Sequence, residues 1–171
     1  MGFLDRLTGT RRPAEGVEPR PREAVVSALF ALNAPDRPWT VRYGEGDGAA
    51  LVAEWITTGP GGQPSRSGLT ELHRTYRILL KFVPAEHEVR ALATQREVTT
   101  VVGRPALKVR SEHGRGGNIR TVARAWHVER GPDGEPRRTT YDYDSAEMRD
   151  PVREAVLTAG WTWRVVTFGR L

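Results

Sequence analysis

The sequence predicts an α+β fold: a curved, mainly antiparallel sheet of seven or eight strands, barrel-like if it closes, with two helices. Three observations lead there. Several segments alternate apolar and polar residues, most clearly TYRILLKFV at 75–83, where Tyr76, Ile78, Leu80 and Phe82 share one face. Short turns rich in Gly, Pro and Asp separate these segments, and short turns join antiparallel neighbours. Only two stretches repeat apolar residues at helical spacing, Val25–Ala28–Leu29–Leu32 and Val152–Ala155–Val156–Ala159.

Taken in order, TGTRRPAEGVEPRPR at 8–22 has three prolines and no apolar period, so it reads as a disordered linker. Residues 1–20 are expected to be a flexible arm and 21–171 a single domain. The first helix is expected at 22–32, with Pro21 suited to its start and Asn33 to its end. WTVRY at 39–43 alternates as a strand. GEGDG turns into AALVAEWITT at 49–58, whose Val, Trp, Ile and Thr content favours strand over helix. GPGGQPSRSG at 59–68 reads as a low-complexity loop. After strand 75–83, PAEH turns the chain and EVRALATQREVTTVV at 88–102 returns, bent near Ala93 where alternation weakens. ALKVR at 106–110 and IRTVARAWHVER at 119–130 are expected to flank a hairpin turn, and GPDGEP to join the second of them to the strand RRTTYDYD. Asp150-Pro151 reads as cap and first residue of the second helix, Gly160 as its stop, and WTWRVVTF at 161–168 as the last strand.

At 171 residues the chain is long enough for one domain with a real core. No run approaches the roughly 18–20 apolar residues of a membrane span. The first residues, MGFLDRLTGTRR, carry Asp5 and no sustained apolar region, which does not fit a secretory signal. With no cysteine, disulfides, thiolate metal sites and cysteine nucleophiles are excluded, and the expected compartment is cytoplasmic. Basic residues comprise 24 Arg and only Lys81 and Lys108. Residues 104–130 hold seven basic and two acidic groups, an excess equal to the chain's +5, so a local basic surface is expected there.

Within that surface SEHGRGGNIR raises the question of phosphate binding. No GK[ST] follows its glycines, and strand rather than helix comes next, so a hairpin turn is the better reading. Arg110, Arg115, Arg120 and Arg124 remain candidates for anion or nucleic-acid contact. GEGDGA at 44–49 matches a dinucleotide fingerprint only formally, because Glu45 and Asp47 would stand where a pyrophosphate must lie. His73, His87, His113 and His127 show no metal-ligand spacing. Asp142, Asp144, Glu147 and Asp150 cluster in sequence, but helix capping by Asp144 with Glu147, and by Asp150, accounts for most of them. No nucleophile motif occurs. The sequence therefore names no catalytic residue, metal site or cofactor. Trp161 and Trp163 share a strand face, which suits a core or, if exposed, an interface. Phe3, Leu4 and Leu7 would group on one turn of helix as an interface with a protein partner or a membrane surface.

HEVRALATQREV at 87–98 and AGWTWRVVTFGRL at 159–171 resemble segments of a family of small uncharacterised bacterial proteins. The resemblance implies a bacterial cytosolic setting and carries no activity. The function expected is a non-enzymatic binding or adaptor module acting on a protein partner of unknown identity. The alternatives are nucleic-acid or anion binding by the basic 104–130 region, and a hydrolase without a recognisable motif that uses Asp142, Asp144 and a histidine.

Overall fold

A computed structural model describes residues 9–60, 70–101, 110–113, 122–130 and 136–166, with side-chain surroundings for 9–57, 74–96 and 144–166. The fold is α+β. Among the described residues the chain forms α1 (Arg22–Phe30), β1 (Trp39–Tyr43), β2 (Leu51–Pro60), β3 (Thr70–Val83), a 3-10 turn (Pro84–Glu86) and β4 (Glu88–Val101). β5 (Arg110–His113), β6 (Val122–Arg130), β7 (Pro136–Asp144), α2 (Ser145–Thr158) and β8 (Thr162–Val165) follow.

Among the described residues eight strands form, but not one sheet: β1 to β5 pair in chain order, all antiparallel, while β6 and β7 pair only with each other. The second edge of β4 is shared: β5 takes residues 94–97 and β8 takes residues 88–91. β8 runs parallel to β4, so the mainly antiparallel sheet is mixed at this pairing. The cause lies in α2, which turns the chain back across the sheet and delivers β8 in the direction of β4. Among the described residues β1 pairs with β2 alone, so the sheet stays open.

Both helices lie on one face of this sheet, α1 against β1 and α2 against β2 and β8. Alternation supplies that inner face. Val41, Ala53 and Ile78 are successive partners in register, as are Trp39, Trp55 and Tyr76 one step along. Val25 and Leu29 of α1, with Met148, Val152 and Val156 of α2, close over these strands and are almost wholly buried. Burying each such side chain contributes about 1.5–3 kcal/mol.

At the ends of α2 one sequence reading is corrected and one holds. The helix begins six residues before Pro151, at Ser145, where the Asp144 carboxylate accepts a hydrogen bond from the Ala146 amide at 3.0 Å. Asp150-Pro151 is therefore interior, and Asp150 instead faces Arg149 and Arg153 at 3.0 and 3.3 Å. The expected stop at Gly160 holds. Gly160 adopts φ +78°, its amide bonds the Leu157 carbonyl at 3.0 Å, and the Trp161 amide bonds that of Val156 at 3.1 Å.

The linker reading fails for the described residues 9–20, which lie against the domain. Arg11 and Trp163 exchange backbone hydrogen bonds at 2.7 and 2.8 Å, covering the free edge of β8. The Arg20 amide bonds the Ala159 carbonyl at 3.0 Å, and the Trp161 indole N–H donates to the Arg20 carbonyl at 2.8 Å. Proline-rich sequence removes amide donors but leaves carbonyls free to accept, and the Trp163 amide and the Trp161 indole supply donors to them, while the Arg20 amide caps the helix end. The opposite edge is guarded by a side chain. Asn33 donates to the Val41 carbonyl at 2.9 Å and accepts from the Val41 amide at 2.7 Å, as a neighbouring strand would.

A Cβ at position 160 would strike the Glu18 carbonyl and come within 2.8 Å of the Pro19 Cα. Gly160→Ala is expected to cost more than about 1 kcal/mol in urea denaturation, through both the left-handed backbone and this contact. Asn33→Ala should cost about 1–2 kcal/mol. Hydrogen exchange should then quicken at the Val41 amide, while the amides of β3 keep their protection.

Candidate functional site: the charged outer face

The face of the main sheet opposite the helices is built from the other half of each alternation. On it Arg42, Glu54 and Arg77 stand on β1, β2 and β3. Asp47 joins them from the turn between β1 and β2, where Gly46 and Gly48 adopt φ +82° and +71°. That geometry makes GEGDG a hairpin turn. Arg42 reaches Asp47 at 2.9 Å and Glu54 at 3.3 Å; Arg77 reaches Asp47 at 3.3 Å and hydrogen-bonds Glu54 through Nε. The two guanidiniums and two carboxylates thus alternate in a ring. Burial disfavours the charged form of Glu54, but hydrogen bonds from Arg42 and Arg77 outweigh it and hold its carboxyl below the ordinary value. The Glu54 hydrogen bond likewise raises Arg42 against the opposing effect of burial.

A second charged group lies toward the other edge. Lys81, Arg90 and Arg164 are direct partners across β3, β4 and β8. Glu88, only 7% exposed, lies beside them and accepts from Arg90 Nε at 2.9 Å, with Arg164 Nη1 at 3.6 Å. Glu86 is 3.7 Å from the Arg90 Nη2. The Glu88 hydrogen bond raises Arg90 further above its already high value. Between the two groups runs an apolar row, Val52, Leu79 and Leu92 in register, in which Val52 and Leu92 are buried. β6 comes alongside β2.

The candidate residues named by the sequence fare differently. Trp161 and Trp163 are 1% and 2% exposed, so the interface reading is corrected: both rings belong to the core. Trp163 is placed there by its pairing with Val89, and Trp161 meets Phe82 and His87 edge-on at 5.7 Å. Arg110 opens β5 opposite Glu97, and Arg124 lies in β6 opposite Asp142. These two strands belong to different sheets, so the expected pairing across SEHGRGGNIR is not formed. Arg115, Arg120, Phe3, Leu4 and Leu7 lie outside the described residues. Of the acidic cluster, Asp144 serves as the cap of α2 and Glu147 is exposed on its first turn. Among the described residues no three His, Asp or Glu side chains gather as a metal site.

Sequence reasoning passed over Arg42, Arg77, Lys81, Arg90 and Arg164. Each alternates with core residues, so each reads singly as a solvated position; only the cross-strand register collects them. No family model, curated protein or solved structure matches the chain.

Glu54 allows a pH test of the ring. Its folded value lies below the ordinary 4.5, so its contribution to stability is present above that pH and is lost as pH falls through the depressed value. Glu54→Gln should cost about 1–3 kcal/mol at neutral pH. It should also flatten the fall in unfolding free energy below pH 4.5. Urea denaturation at stepped pH measures both.

Proposed function

We propose that the protein is a non-enzymatic binding module that docks a protein partner on the outer face of its main sheet. One observation carries this reading: the two described helices cover the inner face, and the outer face holds its charges in fixed ion-pair geometry. Arg42, Arg77, Lys81, Arg90, Arg96 and Arg164 stand on that face against Asp47, Glu54 and Glu88. The excess is cationic, and side chains ordered in the free protein lose less entropy on association. A partner with a complementary acidic surface would be steered to it.

Where side-chain surroundings are described, the outer positions of β1 to β4 carry Arg, Lys, Glu, Thr and aliphatic residues, while His73 on β3 and His113 on β5 fall at outer register positions beyond them. Among the described residues no helix is long and apolar enough to cross a membrane. A cytoplasmic setting, as the family resemblance implies, belongs to the same proposal.

The test is affinity capture from a lysate of the cells that express the protein, with and without nuclease. Wild type is compared with a Lys81→Glu/Arg96→Glu variant, since both positions are exposed. Proteins that survive nuclease on the wild type and disappear from the variant are expected. Material lost on nuclease treatment would turn the reading to nucleic acid and to the basic 104–130 region. Equal retention by the variant would remove the outer face from the proposal.

A further inference from the structure

We infer that residues 9–13 are a cover that lifts from the edge of β8 while the domain stays folded, and that the uncovered edge takes the same segment of a second copy of the chain. This edge lies apart from the outer face, so its role is independent of what docks there.

In the closed form Arg11 and Trp163 exchange main-chain hydrogen bonds at 2.7 and 2.8 Å as an isolated antiparallel bridge. The segment that makes this bridge reads GTRRP and carries no large apolar side chain. The rings below it are held by other elements. Trp163 pairs with Val89, and Trp161 meets Phe82 and His87. Lifting GTRRP therefore breaks bonds at the surface without emptying the core, the condition under which a segment opens locally, ahead of global unfolding.

A hinge and an anchor follow the segment. Ala14–Val17 form a turn, closed by the Val17 amide on the Ala14 carbonyl at 3.2 Å, with Gly16 at φ +82°. Residues 14–20 are all exposed, so this turn opens into water. Beyond it Arg20 is fixed through its amide on the Ala159 carbonyl and its carbonyl on the Trp161 indole. Glu18 and Pro19 lie so close over Gly160 that a Cβ there would strike them. Opened, the four residues of the turn span about 13–14 Å, which carries GTRRP clear of its own edge.

Lifting bares a strand edge at Trp163, and a bare edge is a template for another strand. The strand that fits is defined by the closed form. Its bonds at Arg11 are main-chain bonds, and the same segment of a second copy makes them identically. Two copies that each hold the other's GTRRP close a two-fold pair without needing any contact that the single chain lacks. Concentration and the strain of the hinge set the balance between the two forms.

The chain has no cysteine, so introduced thiols are the only ones present. The antiparallel bridge sets Arg12 opposite Thr162. Cα atoms of such partners stand about 4.5–5.5 Å apart, within reach of a disulfide. Full-length Arg12→Cys protein is mixed with an equal amount of isotopically heavy Thr162→Cys protein, oxidised with diamide and read by mass spectrometry. The mixed disulfide dimer should exceed, about tenfold, that formed by Arg12→Cys with Ser27→Cys on the exposed side of α1. Gly16→Ala, whose Cβ meets no atom within 4 Å, strains only the left-handed turn and should raise the yield about fivefold. In the unsubstituted protein the Arg11 and Trp163 amides should exchange with deuterium about tenfold or more faster than those of β3.

Equal yields from Thr162→Cys and Ser27→Cys would mean random collision and overturn the exchange between copies. No response to Gly16→Ala would overturn the hinge. Protection of Trp163 equal to that of β3 would overturn the lifting itself. That last measurement needs no substitution, so it decides the matter even if Thr162→Cys folds poorly. Capture on the outer face is tested separately and stands or falls without it.

Discussion

The parallel pairing of β8 with the first residues of β4 is the contact on which the rest of the structure depends. It sets Trp163 beside Val89 and Val165 beside Ala91, which extends the inner apolar face by one strand. In the same step it sets Arg164 beside Arg90 on the outer face. Because side chains alternate, one register decides both faces, and a slip by one residue would bury the arginines and expose the tryptophan. The pairing is secured at its ends, by the Thr162 amide on the His87 carbonyl at 2.8 Å and the Val166 amide on that of Ala91 at 2.9 Å.

The surrounding pieces hold this pairing in place. Gly160 ends α2 in the left-handed conformation and turns the chain into β8, while the segment 9–20 binds the outer edge of β8 and the last turn of α2. Trp161, between them, is buried against Phe82 and His87 and spends its one polar atom on the Arg20 carbonyl. A tryptophan in a core needs such a partner, because an unsatisfied indole N–H would cost about 1–3 kcal/mol. With β1 closed at Val41 by the Asn33 amide, strand addition is hindered at two edges of the main sheet.

That face explains why abundant arginine was uninformative in the one-dimensional chain. Arg42, Arg77 and Arg90 occur in three separate strands, each beside apolar neighbours, and none belongs to a local basic run. The basic cluster that stands out in the linear chain is the one at 104–130. Its strands β5 and β6 separate into two sheets, a long-range outcome that local alternation cannot encode. Alternation specifies that a segment is a strand and which side is apolar; it does not specify the neighbour.

The sequence by itself determined most of the elements and their inward faces. WTVRY, AALVAEWITT and TYRILLKFV are strands with Val41, Ala53 and Ile78 in the core, and Val25, Leu29, Val152 and Val156 are the buried stripes of the helices. Those features follow from periods of two and of 3.6 residues, which are local. Tertiary structure alone decided that residues 9–20 dock, that β8 runs parallel to β4, and that Lys81, Arg90 and Arg164 form one row. Each of these depends on a partner distant in the chain, and register between distant segments is set by packing the whole inner face at once.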